Sequence, residues 1–192
     1  MPKSVKSLPT LNQVAGQWQF YGGADTGYSP IQMSPGVWYF NMPHAPGQVN
    51  YILHQHWISL QGNNSLEVYG EIQCSEPPPL FDCMENGGIP PSFRILLWRK
   101  GRDTGDINAR WWSNPQCVML KPGVFSLIVS LAPENWTNVY NHLAENSLEK
   151  FNECLQNTGD IGLSFGGGSS FGHGIRLQGG TAKFVCSRFT LN

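Results

Sequence analysis

Short apolar runs, separated by clusters of Gly, Pro and Asn, recur along the chain beyond residue 17. Strict alternation of apolar and polar residues marks a half-buried β-strand, because successive side chains point to opposite faces. The cleanest case is Phe125, Leu127, Val129 and Leu131, with Ser126 and Ser130 between them. Leu66, Val68 and Ile72 alternate with Glu67, Glu71 and Gln73 in the same way. Val37-Trp-Tyr-Phe40 follows Ser34-Pro-Gly and stops at Asn41-Met-Pro43, and the next run extends from Val49 to Trp57. Phe93-Arg-Ile-Leu-Leu-Trp-Arg99 barely alternates, which reads as a strand buried on both faces. Two further runs, Ile161 to Phe165 and Thr181 to Leu191, flank a glycine-dense loop that holds Phe171 and His173.

Between residues 133 and 157 the period changes. Pro133 suits a first helical position, and Trp136, Val139, Tyr140 and Leu143 recur at helical spacing. Leu148, Phe151 and Leu155 repeat the spacing after Asn146-Ser147, a capping pair. The pattern predicts one helical insertion, or two short helices, among the strands. Residues 1–17 are polar and unpatterned and read as a flexible arm. With no internal repeat and no long linker, residues 18–192 read as a single domain. The expected fold is all-β: a single-domain β-sandwich of jelly-roll-like wiring with a short helical insertion near 133–157.

Composition narrows the function classes. Lys and Arg total 12 against 13 Asp and Glu, for a net charge of −1. A nucleic-acid binder carries a basic stripe, and the densest basic run, Arg99-Lys-Gly-Arg102, is read as solvated residues of a hairpin turn. No run reaches transmembrane length, so no membrane insertion is expected. The first nine residues have no apolar segment of the signal-peptide kind. Low charge with abundant Gly, Pro, Asn, Ser and Trp nevertheless points to an extracellular or periplasmic setting, with a phage or capsid-type structural protein as the other reading of the same composition.

The five cysteines include no CxxC pair; Cys74 and Cys83 bracket a proline-stiffened loop where a disulfide is plausible, with buried small hydrophobes as the other reading. His54-Gln-His56 on a strand would project both imidazoles from one face. With His173, and His44 nearby, the pair could hold a divalent metal ion; a polar sheet face is the alternative. Arg110-Trp-Trp-Ser-Asn114 places Trp111 and Trp112 on opposite faces of a strand, one in the core and one outward. An outward indole stacks on the C–H face of a sugar while neighbouring polar groups bond its hydroxyls. Arg110, Asn114 and His173 would supply those groups, and Trp57, Trp98 and Tyr69 could extend the surface. Glu67 and Glu71 share a strand face, and Asp25, Asp103, Asp106 and Asp160 are placed in turns. No nucleophile elbow, P-loop or HExxH motif is present.

Pro35-Gly-Val-Trp-Tyr-Phe40, Arg110-Trp-Trp-Ser-Asn114, Pro133-Glu-Asn-Trp-Thr-Asn-Val-Tyr140 and the glycine-rich stretch from Ile161 to Gly174 resemble a group of uncharacterised bacterial β-sandwich proteins. That resemblance spans roughly residues 35–191 and implies no activity. The Phe-containing final strand after a Gly-rich loop is more distantly similar to jelly-roll carbohydrate-binding modules. That similarity implies a non-catalytic sandwich, although the structural calcium ligands of that class have no counterpart here. The leading expectation is therefore glycan or polysaccharide binding through an exposed aromatic surface at Trp111 or Trp112. A metal-dependent enzyme built on His54, His56 and His173 is the first alternative. A structural or assembly protein with aromatic subunit interfaces is the second.

Overall fold

The computed structural model describes residues 18–21, 31–34, 36–46, 48–83, 90–101, 103–167 and 173–192, with the backbone alone at 31–34 and 56–58. The N-terminal arm, Asp25, Phe171 and the side chains of His56 and Trp57 therefore lie outside the described residues.

Two antiparallel sheets make the sandwich. In the first, β1 (Trp18–Tyr21), β4 (Tyr51–Ile58), β11 (Thr158–Gly166), β7 (Ser92–Arg99) and β8 (Arg110–Trp112) lie in that order, with β9 (Val118–Met119) also on β7. In the second, β10 (Gly123–Ser130), β5 (Ser65–Cys74), β13 (Ala182–Leu191), β3 (Val37–Asn41) and β2 (Ile31–Ser34) lie side by side. A separate ribbon pairs β6 (Leu80–Cys83) with β12 (Ile175–Gln178). Strands β3, β4, β5, β7, β8, β10, β11 and β13 carry the jelly-roll wiring. Counted along the chain, the first, eighth, third and sixth form one sheet, and the second, seventh, fourth and fifth form the other.

Each strand of the second sheet reads the alternation directly. Leu66, Val68 and Ile72 of β5 are buried, as are Leu127 and Val129 of β10, while the residues between them face outward. The inner faces meet in an aromatic core around Phe184, whose ring stacks on Phe40 at 5.4 Å and Phe125 at 5.0 Å. Phe93 and Phe165 of the first sheet present their edges to the same ring at 5.2 and 5.4 Å. Offset and edge-to-face pairs of this kind add to the area term that holds the sheets together.

The first sheet behaves differently. Strands β7 and β11 are buried on both faces. A second apolar cluster of Tyr51, Leu53, Leu96, Trp98, Ala109 and Trp112, with Val139 against it, covers the outer side.

The helical insertion is shorter than its sequence period suggested. Pro133–Asn135 and Ala144–Ser147 are 3-10 turns, and only α1 (Leu148–Gln156) is an α-helix. Trp136 to Leu143 is not helical, because Thr137 bridges to Trp112 at the edge of β8 and again to Leu143. Trp136 instead fills the core and donates its Nε1–H to the Ser130 carbonyl at 2.9 Å. The apolar spacing there reflected a burial pattern and not a helix face. Phe151 and Leu155 are buried as the period required, whereas Leu148 is half exposed and Ser147 makes no side-chain cap.

No disulfide joins Cys74 to Cys83, and none of the five cysteines is bridged to another. The ladder geometry separates them. Ser75 bonds Thr181 at the base of the ribbon, whereas Cys83 pairs with Ile175 at its far end, about 10 Å of strand away. Asp160 lies not in a turn but within β11, where it is buried.

The ribbon is pinned by one carboxylate. A side-chain hydrogen bond from Gln178, and then one from Arg176 Nε at 2.9 Å, hold the Asp82 carboxyl below the usual carboxylate range. A folded-state pKa below the unfolded value stabilises the native state above the unfolded pKa, and that contribution is lost as pH falls through the folded one. Amides of β6 and β12 are therefore expected to exchange faster as pH is lowered through the carboxylate range, after correction for intrinsic exchange. Asp82→Asn should remove that extra acid-side loosening. Equal acid response in the two proteins, measured by hydrogen exchange, would count against the assignment.

Candidate functional site

The two tryptophans that the sequence offered as the centre of a glycan platform are interior. Trp111 and Trp112 do point to opposite faces of β8, as alternation demands, but both are 0% exposed. Trp111 enters the main core, with its ring edge-on to Phe151 at 5.3 Å. Trp112 sits in the outer cluster of the first sheet, where the Arg110 guanidinium lies 5.5 Å from its ring and 5.1 Å from that of Trp98. Outward on a strand is not the same as exposed when a second layer covers the sheet.

Asn114 is engaged as well. Its Oδ1 accepts from Arg94 Nη1 at 2.9 Å, and its Nδ2 donates to Thr137 Oγ1 at 2.5 Å and to Asn141 Oδ1 at 3.4 Å. Arg94, itself fully buried, also donates to Ser92 Oγ at 2.6 Å. These groups knit β7, β8 and the 132–147 segment together, which leaves the Asn114 amide occupied.

Among the described side chains, His54, His173 and His44 do not converge. His54 is buried on the inner face of β4, edge-on to Trp18 at 5.2 Å. His173 is exposed and stands at the other end of that strand, since Gly174 N–H donates to Phe165 O and Phe165 N–H to Asn50 O. Four residues of strand separate Asn50 from His54, about 13 Å. His44 is exposed elsewhere, beside Leu177 of β12. Among the described residues no three His, Cys, Asp or Glu side chains gather as a metal site would require. Nor is Cys154 a nucleophile at neutral pH, because complete burial pushes its thiol up to about 12.

The face that does meet solvent is the outer side of the second sheet. Register defines its rows: Asn41, Lys183 and Gln73 stand abreast on β3, β13 and β5. Tyr39, Val185, Glu71 and Val124 form the next row. Tyr69 follows, beside Arg188 and Ser126. Tyr39 and Tyr69 thus flank β13, roughly 10 Å apart across the sheet and about 7 Å apart along it.

Both tyrosines are partly exposed, and polar groups surround them. Lys183 Nζ lies 4.5 Å from the Tyr39 ring, and Arg188 Cζ lies 4.0 Å from that of Tyr69. Tyr69 O–H donates to Glu67 Oε2 at 2.9 Å, and Gln73 Nε2 donates to Glu71 Oε2 at 3.0 Å. Where β3 and β5 end and β13 begins, the face runs into a hollow of about 520 Å³, a size that suits a small ligand. Asn41, His44, Gln73, Ser75, Thr181 and Lys183 line it, with Cys74 at its wall. Partial burial raises the Cys74 thiol above its usual range.

Sequence pattern anticipated part of this surface. Alternation along β5 puts Tyr69 on the same side as Glu67 and Glu71. Tyr39 carried no such signal, because the run Val37 to Phe40 is apolar throughout and only the sheet shows which side faces out. Compared with models of known protein families and with curated proteins, the chain matches none.

Proposed function

We propose that the chain is a non-catalytic glycan-binding β-sandwich that uses the outer face of its second sheet. The observation that carries the reading is the join between two features: a sheet face bearing Tyr39 and Tyr69, and a polar hollow continuous with it. Aromatic rings offer flat apolar area to the C–H faces of sugar rings, while fixed amides and carboxylates discriminate hydroxyl positions. Asn41, Gln73, Glu67 and Glu71 provide both donors and acceptors within reach of those rings. Arg188 is about half exposed, so it can swing from the Tyr69 ring and donate to a hydroxyl. The spacing of the two tyrosines suits a ligand longer than one sugar ring, an oligosaccharide or a polysaccharide segment. The aromatic platform is thus made of tyrosines, and the six described tryptophans serve the core.

Titration against a panel of soluble polysaccharides, read by affinity electrophoresis and calorimetry, tests the reading. Binding to at least one glycan is expected, unaffected by chelators. Tyr39→Ala and Tyr69→Ala should each weaken it about tenfold, equivalent to roughly 1.4 kcal/mol. Both side chains sit at the surface, so the thermal midpoints should move little. A wild-type protein that binds no glycan, or variants that keep full affinity, would overturn the proposal.

A further inference from the structure

Strand β10 ends the second sheet. Among the described residues it pairs with β5 alone, which leaves the backbone N–H and C=O groups of Val124, Ser126 and Ile128 directed outward along its far edge, while the Ser130 carbonyl takes the Trp136 indole N–H. Folds usually protect such an edge by keeping it short, by placing Lys or Pro on it, by bulging it, or by covering it. The other edges follow that rule. Strands β1 and β2 have four residues each, β2 is bulged against β3, and β8 is only three residues long and bridged by Thr137. Strand β10 has eight residues, regular pairing throughout and neither a charge nor a proline: Gly-Val-Phe-Ser-Leu-Ile-Val-Ser. Two of its outward side chains are large and apolar, Val124 at 83% exposed and Ile128 at 51%.

We infer that β10 is a self-association edge, pairing antiparallel with β10 of a second copy about a two-fold axis. The sequence of the strand selects one register. With Ser126 on the axis, Val124 faces Ile128 of the second copy on the outer side, and Phe125 faces Leu127 of the second copy on the inner side. Apolar residues then meet on both faces, and each directly opposed pair adds a few tenths to about 1 kcal/mol. A one-residue shift that puts Leu127 on the axis would set Val124 and Ile128 against serines. The flanks agree with the antiparallel sense. Exposed Lys121 precedes the strand and exposed Glu134 follows it, so each basic entry lies toward the acidic exit of the other copy.

The closed two-fold arrangement leaves no further free edge at the junction and joins two five-stranded sheets into one. Two strands of this length bury less than the ~1,600 Å² of a standard interface, so the association is reversible and concentration-dependent. The inference is independent of what the outer face binds.

Sedimentation velocity over a wide concentration range tests it. A monomer–dimer equilibrium is expected, abolished by Val124→Lys combined with Ile128→Lys, both surface changes that leave the fold intact by circular dichroism. Register is tested by oxidation in a Cys117→Ser background, which removes an exposed thiol. Ser126→Cys should give a covalent dimer readily, whereas Ser130→Cys, off the axis, should not. A wild-type protein that stays monomeric at high concentration would overturn the inference. So would a dimer that survives both lysines, or equal cross-linking at the two serine positions.

Discussion

Trp112→Ala should lower stability by about 3–5 kcal/mol and leave the proposed glycan affinity of the folded protein unchanged. The indole is fully buried among Tyr51, Leu53, Leu96 and Trp98, so truncation opens a cavity that the packed cluster around it can collapse only in part to fill. A second loss follows at Arg110, whose guanidinium rests against the Trp98 and Trp112 rings. Its Nε is buried without a hydrogen-bond partner among the described residues, so ring contact accounts for much of its stabilisation. For a chain of this length the midpoint should fall by roughly 10 °C or more. The informative comparison is with Tyr69→Ala, which should do the reverse: weaken binding and spare stability. Calorimetric melting and glycan titration of both variants, below the midpoint of each, give the two-by-two result. A Trp112→Ala protein of normal stability that had lost binding would return the site to the tryptophans.

The fold was legible wherever one face of a strand is wet. Strands β5 and β10 face water on one side, so their alternation wrote the inner and outer faces into the sequence. Where both faces are dry, the missing alternation along β7 did mark a strand buried on both sides, but it could not show what covers it. Along β7 and β8 apolar residues stand on either side, and no local pattern tells a covered outward tryptophan from an open one. The cover comes from sequence-distant residues, Val139 among them, and such packing leaves no mark on the strand it covers. The 133–157 segment failed for a related reason. Its apolar spacing satisfied a helix period, but the edge of β8 claimed Thr137 as a bridge partner, and tertiary pairing overrode propensity. The His54–His56–His173 reading needed partner strands that sequence does not give. Once β4 is paired with β11, the opposite ends of the strand keep His54 and His173 apart. Of the candidate face, Tyr69 and its acids were readable from the β5 alternation, whereas Lys183 and Arg188 arrive only through the pairing of β13.

Gly70→Ala should be the most damaging single-methyl change on the second sheet, and it should also disturb the proposed binding face. An added Cβ at Gly70 would overlap the Val185 carbonyl oxygen and stand 2.5 Å from Phe125 Cζ. The first obstacle is backbone in a central strand, which cannot step aside without breaking the β5–β13 ladder. The close approach has a cause: the register of β13 slips between Cys186 and Arg188 opposite this glycine, a β-bulge that inserts Ser187. A glycine lets the neighbouring backbone come near enough for the bulge to form. The bulge in turn brings Arg188 to the level of Tyr69, with its guanidinium carbon 4.0 Å from the ring. Overpacking a core typically destabilises by about 1–3 kcal/mol, and a clash with fixed backbone should reach or exceed the upper figure. Denaturant unfolding is expected to show that loss, and hydrogen exchange should localise it to the amides of β5 and β13. If Gly70→Ala folds, its glycan affinity should fall with the displaced Arg188. An Arg188→Ala variant of native stability should reproduce the binding loss alone. Native stability in Gly70→Ala would mean that β13 accommodates a methyl group without moving the bulge, and the proposed link between that bulge and the binding face would fail.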